Sequence, residues 1–388
     1  MIDDEEESAR TYGRALGQLR DPALPFEIEP YLVKDFRSQL EIVAKREEGI
    51  RSGKKVSFDD SDFDRAAAVI VDFELPKAFE ALGNPTGERI CYLLRCYSSC
   101  GTLVGVDQFI TLGTSSFDLT LRGHPGSFAD VNVTASQLTL SGLWGGRSDF
   151  RPWYWPNVIQ LPARLEAATD LLRSALDRPL SEVLGIPELI RNVSDAARDF
   201  LGSKPEDVTP RSFVQSSGNG IQGRTETATD EMVARISAAR LMKWFERLVL
   251  PGEDVLMDGP HMAVRYPSLL AASDRTSTES WNVTAAFKPH DQLGLRWEAI
   301  ENHRVNDSPF LSRPSWLASN MARDKKVNEV ADPFSRTPSP FVFAEDASAF
   351  FAEGECHPFK ASFDSPYVRR YVKQIDGVTY TPIDNLEM

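Results

Sequence analysis

Histidine and cysteine are scarce in this chain, with 5 and 4 copies among 388 residues. The cysteines, Cys91, Cys96, Cys100 and Cys356, are too few for a disulfide framework at this length. Long apolar runs are missing too. No stretch approaches the about 18 residues a membrane span needs, and the most apolar run, Ala66 to Val71, is core-sized. The opening Met-Ile-Asp-Asp-Glu-Glu-Glu lacks the basic start of a signal or transit peptide, so a soluble intracellular protein is expected. In that setting the sequons at Asn132, Asn192, Asn282 and Asn306 read as chance matches. Positive charge is in deficit, with 43 Lys and Arg against 57 Asp and Glu and a net charge of −14. Phosphate binding is supplied mostly by Lys and Arg, which excludes bare nucleic acid as the main target.

What is present is ordinary globular material: 41% hydrophobic and 26% charged residues. The pattern predicts an α+β fold. Residues 1–202 read as a helix-rich domain, 203–228 as a linker or exposed loop, and 229–388 as a helix followed by a mixed, Pro-rich region. Phe36, Leu40 and Val43 give 31–50 a helical period. Residues 62–82 open with helix-capping aspartates and predict a helix that breaks or kinks at Pro76. Between 102 and 143 the alternation at Val104/Val106, Phe117/Leu119/Leu121, Val131/Val133 and Leu138/Leu140 predicts three or four antiparallel strands. Residues 162–201 return to helix, with Leu165, Leu171, Leu172 and Leu176 on one face. The strongest helix is 229–250, whose apolar set is broad enough for a deeply packed element. Beyond it, 281–287 reads as a strand and 315–331 as a helix, and Asp376-Gly377 signals a terminal hairpin.

No coherent catalytic signature emerges. Gly218-Asn-Gly220-Ile-Gln-Gly223 matches a dinucleotide fingerprint in spacing alone, because no strand precedes it and the helical pattern starts only later. It reads as a loop. Gly49-x3-Gly53-Lys54-Lys55 is one residue short of a P-loop and reads as a charged turn. Asp60, Asp62 and Asp64 lack the glycine and glutamate of a calcium loop, so capping explains them better. Cys91, Cys96 and Cys100 have no paired ligand spacing, and Cys356-His357 would need a long-range partner, so these are read as structural thiols. His124, His261, His290, His303 and His357 are scattered; His290-Asp291 and His303-Arg304 are the pairs to inspect for a site assembled in space. No catalytic, cofactor or metal residue is assigned.

The most unusual segment is Arg151-Pro-Trp-Tyr-Trp-Pro156. Three adjacent aromatics cannot all enter one core from a regular element, so Trp153, Tyr154 and Trp155 are candidates for a subunit or domain interface. Base stacking is the alternative, with only Arg147 and Arg151 nearby to supply charge. Trp316 joins the interface candidates, with Trp281, Trp297, Phe350 and Phe351 as further isolated aromatics suited to wrapping contacts.

The helix-rich first half, the 151–156 segment and the Pro/Phe/Tyr-rich stretch from Thr337-Pro-Ser-Pro-Phe-Val-Phe to Ser365-Pro-Tyr-Val-Arg-Arg-Tyr together resemble coat proteins of small double-stranded RNA viruses of the partitivirus type. The resemblance is one of size and texture. It implies a helix-rich shell domain, a smaller protruding domain, and a particle of coat-protein dimers in a virion or host cytoplasm. The chain's main partner would be itself, with weak non-specific contact to enclosed RNA and none to membrane. The acidic N-terminus departs from a role for residues 1–20 in touching RNA. The alternatives are a soluble enzyme built on His290, Asp291 and His303, and a peptide adaptor using the aromatic-proline segment.

Overall fold

The computed structural model describes residues 1–3, 6–19, 29–31, 33–73, 75, 86–106, 120–144, 155–186, 188–216, 218–221, 225–253, 255–270, 274–285, 300–305, 308–324, 340–359 and 370–374. The fold is α+β, a helix-rich body carrying three small sheets.

After helices α1 (Glu6–Gln18) and α2 (Val33–Arg51), strand β1 (Ala68–Asp72) pairs in parallel with β2 (Thr102–Val106), which pairs in parallel with β3 (Val131–Val133). Helix α3 (Gly87–Tyr97) makes the crossover between β1 and β2 and packs on both. Two expectations are corrected here. Residues 68–72 form a strand rather than part of a helix, and the sheet is parallel rather than antiparallel. A strand covered on both faces is apolar at consecutive positions, so Ala-Val-Ile-Val carries no strand alternation. Leu138 ends helix α4 (Ala135–Leu138) instead of starting a strand. Residues 117 and 119, and Pro76, lie outside the described residues.

Of the aspartates at 60–64, Asp64 takes part in a cap, on the short 3-10 turn Asp62–Arg65 whose N-cap is Ser61: the Ser61 N–H donates to the Asp64 carboxylate at 3.0 Å. They also hold the α2 guanidinium of Arg46, which pairs with Asp60 and, at 2.6 Å, with Asp64. The Gly49–Lys55 stretch is a helix-ending turn in which Gly53 takes φ +82°.

The 162–201 region divides into α5 (Leu161–Arg173), α6 (Leu180–Val183), α7 (Leu189–Asn192) and α8 (Asp195–Leu201). Leu165, Leu172 and Leu176 are buried, but Leu171 faces solvent at 39% exposure. Within 203–228, expected as a linker or exposed loop, α9 (Pro210–Gln215) buries Phe213 and Val214 completely. Helix α10 (Asp230–Trp244) packs on α5, α9 and α3 and is buried along nearly its whole length. Each Leu or Val so buried is worth roughly 1.5–3 kcal/mol relative to exposure.

A second apolar cluster gathers around Trp281, Trp316, Phe343 and Phe350. Here β4 (Leu256–Asp258) runs into α11 (Gly259–Arg265), and α12 (Thr278–Val283) replaces the expected strand at 281–287. Strand β5 (Arg304–Val305) pairs with β6 (Ser315–Leu317), which pairs with β4, all antiparallel. The helix expected at 315–331 starts only after β6, as α13 (Ala318–Arg323). The third sheet is ordered β8-β7-β10-β9, from β7 (Phe341–Ala344), β8 (Ala349–Ala352), β9 (His357–Phe359) and β10 (Arg370–Val372). The predicted Asp376-Gly377 turn lies outside the described residues.

Close packing at the start of β2 makes a direct check. A Cβ on Gly101 would lie 2.0 Å from the Ala67 carbonyl oxygen, whereas one on Gly13 in α1 meets nothing within 4 Å. Gly101→Ala is expected to cost about 2–3 kcal/mol in urea denaturation, and Gly13→Ala to gain about 0.5–1 kcal/mol.

Candidate functional site

Among the described residues, a dense gathering of chemistry-bearing side chains surrounds His261. Asp258 caps α11: its carboxylate accepts from the His261 N–H at 3.2 Å, with Pro260 in the first turn. That cap folds the ring back over Asp258, leaving Nδ1 2.6 Å from Asp258 Oδ1 and 2.9 Å from Glu253 Oε1. On the opposite side Nε2 lies 3.1 Å from Glu345 Oε1, at the end of β7. Arg370 of β10 closes the cluster. Its guanidinium pairs with Glu345, lies 2.9 Å from Glu253, and donates to the Pro251 carbonyl at 2.6 Å.

The cluster continues inward. Arg313 lies 4.0 Å from Asp258 Oδ2 and 3.4 Å from Glu246 Oε2, and Arg164 reaches Glu246 at 3.3 Å. Glu246 sits in the turn after α10, where the helix widens so that the Leu250 N–H bonds to Phe245 O, five residues back.

Burial and charge pull these groups in opposite directions. Burial alone would push His261 down, but Asp258, Glu253 and Glu345 outweigh it and the opposing Arg370, holding the imidazole well above its ordinary value. Burial would raise Glu246, yet Arg122, Arg313 and Arg164 bring it down to about 2. Asp258 is likewise held below the usual carboxylate range, because His261, Arg313 and Arg370 overcome its burial.

Glu253, Asp258 and His261 present three possible ligand atoms within 4.8 Å of one another. In this geometry two carboxylates converge on one ring nitrogen at hydrogen-bond distance, which is the arrangement of a held proton. A divalent ion at the about 2.0–2.2 Å of such ligands would have to sit between them and spread them apart. Chemically the cluster is a proton-dependent tie between the turn at 250–253, β4–α11 and the third sheet.

The other sequence candidates are dispersed. His290, Asp291, Trp153 and Tyr154 lie outside the described residues, as does Trp297. His303 meets Asp324, with Nε2 2.9 Å from Oδ2, and Arg304 pairs with Glu301 at 3.1 Å. Trp155 is half-buried against the main core. Trp316, Trp281 and Phe350 correct the expectation of exposed, partner-facing aromatics: at 0–1% exposure they fill their own chain's second core. Cys91, Cys96 and Cys100 are buried, and burial pushes the Cys96 thiol up to about 12 and its neighbours upward as well, which keeps all three as unreactive thiols. Cys356 is buried while His357 is exposed. Gly218 turns with φ +87°, and Gly223 lies outside the described residues.

His261 was not among the leading sequence candidates. Its local signal is the Asp258-Gly-Pro-His261 spacing, which caps a helix and places a carboxylate over an imidazole. Its other partners come from positions 253, 345 and 370, which no local pattern connects.

A cleft lies elsewhere, beside β1. It holds about 510 Å³ and is lined by Met1, Tyr31, Asp62, Arg65, Ala68 and Trp144 among others. No described helix is long and apolar enough to cross a membrane. Compared with known proteins, the chain matches no protein family, no curated sequence and no solved structure.

The titrations have opposite signs. His261 is raised on folding, so its stabilisation is complete below about pH 6.5 and fades as pH climbs through the higher folded value. Glu246 is depressed, so its contribution is complete above about pH 4.5 and is lost as pH falls toward 2. Urea unfolding across pH should therefore show His261→Gln flattening the alkaline limb and Glu246→Gln flattening the acid limb. Unchanged limbs in both variants would show that the cluster does not carry the pH dependence.

Proposed function

We propose that the chain is a structural, self-assembling protein, the coat protein of a small double-stranded RNA virus, building a shell from dimers. The observation that carries this reading is how the strongly perturbed ionisable groups are used. His261, Asp258, Glu246 and the buried Lys243 and Arg240 of α10 each contact other segments of the same chain, away from the cleft beside β1. Their charge sets the shape of the subunit. The net charge of −14 suits a wall that encloses RNA without gripping it. Trp153 and Tyr154 remain the interface candidates, with Trp155 at the edge of the core; Trp316 is withdrawn because its burial is within the chain. Contact with the enclosed RNA would be weak and non-specific, and the setting a virion and host cytoplasm.

The second reading is an enzyme, and the partly open His303–Asp324 pair favours it. Both side chains are about one-fifth exposed, at 22% and 19%, and the carboxylate orients the ring as an acid–base pair requires.

Light scattering of the purified protein separates the two. The shell reading predicts particles in the megadalton range, and a monodisperse monomer of 43.3 kDa contradicts it. The enzyme reading predicts a hydrolytic activity that His303→Gln removes while particle size is unchanged.

A further inference from the structure

Strands β7 and β10 meet along a thin seam. They share a single residue pair, Tyr371 with Ala344, extended by the Glu345 N–H donating to Tyr371 O at 2.9 Å. Just past the strands, the Asp346 carboxylate accepts from the Lys373 and Gln374 N–H groups at 2.8 and 3.0 Å. By contrast, β7 pairs with β8 along its whole length, and β10 does so with β9. The two sides also belong to different cores. Phe343 of β7 lies in the cluster around Trp281, whereas Val372 of β10 is buried in the main core and Arg370 donates to Pro251 O. The seam is therefore where the third sheet joins one core to the other.

The His261 ring lies across this seam, with the Phe343 ring edge-on at 5.5 Å between centroids. Among the described residues, Nδ1 faces two carboxylates, Asp258 Oδ1 at 2.6 Å and Glu253 Oε1 at 2.9 Å, so it keeps a proton. Nε2 faces two groups with incompatible demands. The ionised Glu345 carboxylate of β7, at 3.1 Å, can only accept, and Arg370 Nη1 of β10, at 2.5 Å, can only donate. A protonated Nε2 serves Glu345 and a bare one serves Arg370. Neither state serves both.

Glu345 depends on that choice. Its Oε2 is buried without a partner among the described residues, so the carboxylate relies on Oε1, which His261 and Arg370 share. Arg370 is in turn divided between Glu345, Glu253 and the Pro251 carbonyl. Behind the ring, Arg313 answers Asp258 at 4.0 Å. Loss of the Nε2 proton leaves the carboxylates of Glu253, Asp258 and Glu345 facing the guanidinium groups of Arg370 and Arg313. A buried negative charge in excess is costly, and the strain falls on the thinnest contact around it, the β7–β10 seam.

We propose that His261 is a proton-operated latch on this seam, closing it through Glu345 when Nε2 is protonated and releasing β7 from β10 when the bare nitrogen turns to Arg370. Against burial, Asp258, Glu253 and Glu345 hold the imidazole well above its ordinary value with Arg370 opposing, so release lies on the alkaline side of about pH 6.5. The opening is local: each side keeps its own core and its other strand partner. The latch stands independently of whether the chain assembles or catalyses.

Hydrogen–deuterium exchange of the full chain between about pH 6 and pH 10, with exposure times scaled to the intrinsic rate at each pH, tests it. As pH rises, the amides that cross the seam, those of Glu345, Lys373 and Gln374, are expected to exchange about tenfold faster or more through a one-proton step. Residues 349–352 in β8 keep their protection. In His261→Gln, whose side-chain amide donates to Glu345 or accepts from Arg370 without titrating, the step disappears. Ring-nitrogen NMR of the native protein is the check that does not require the variant to fold. There Nε2 passes from protonated to bare at the midpoint of the exchange step, while Nδ1 stays protonated. Constant protection at the seam overturns the proposal, as does the same step in His261→Gln, equal quickening at 349–352, or a ring that sheds its proton from Nδ1.

Discussion

The structure depends on cations buried along one helix and tied to backbone carbonyls. Lys243 of α10 donates to the carbonyl oxygens of Ser127 and Ala129 at 2.8 and 2.9 Å. Arg240, one turn earlier, donates to Ser127 O at 2.6 Å and lies over the rings of Phe128 and Phe200. Arg235 reaches Ser99 O at 2.7 Å and also Cys100 O, and Arg247 reaches Gly123 O at 2.9 Å. The spacing places these groups on neighbouring turns facing the segments that enter β2 and β3. Those segments have carbonyls that the three-stranded sheet does not use, and α10 satisfies them. Burial, together with Arg240 and Arg122, pushes Lys243 well below its ordinary range. Even as a neutral amine it retains two N–H donors, which match its two carbonyl acceptors.

The same helix carries the polar chain onward. Past Trp244 the widened turn brings Glu246 inward to Arg313 and Arg164; Arg313 faces Asp258, Asp258 holds His261, and His261 meets Glu345 beside Arg370. Beyond it, the buried Asp346 carboxylate accepts from the N–H groups of Lys373 and Gln374 and fixes the exit of β10. The main core and the cluster around Trp281 and Trp316 are therefore joined by directional charge contacts as well as by apolar packing. Such contacts contribute less to net stability than to a unique arrangement, because each charge must recover its lost hydration from a partner in the right place.

The sequence made the helices legible where one period dominates. Phe36, Leu40 and Val43 marked α2, and the apolar set from Val233 to Phe245 marked α10 together with its depth. The parallel sheet was hidden because β1 is apolar on both faces, and its run of Ala, Val and Ile carries no alternation to distinguish it from a buried helix. The reverse error occurred at Trp281-Asn-Val-Thr, where alternation mimicked a strand although Ser277 caps a short helix by accepting from the Ser280 N–H at 3.4 Å. Trp281, Trp316 and Phe350, read as outward-facing, are core, since proline-rich surroundings reveal irregular backbone but not which way a ring points. The charge cluster was least legible of all. It joins positions 164, 246, 258, 313, 345 and 370, and only the fold brings them together.

The central claim, that buried cations on α10 hold the segments leading into the sheet, is tested most directly by amide hydrogen exchange on Lys243→Met. The substitution keeps the apolar stem and deletes the donor, leaving the Ala129 carbonyl unmatched at about 1–3 kcal/mol and the Ser127 carbonyl to Arg240 alone. The account predicts a loss of stability of that order, with exchange quickening first at 123–133 and less elsewhere. Native-like stability with unchanged protection across 123–133 would contradict it.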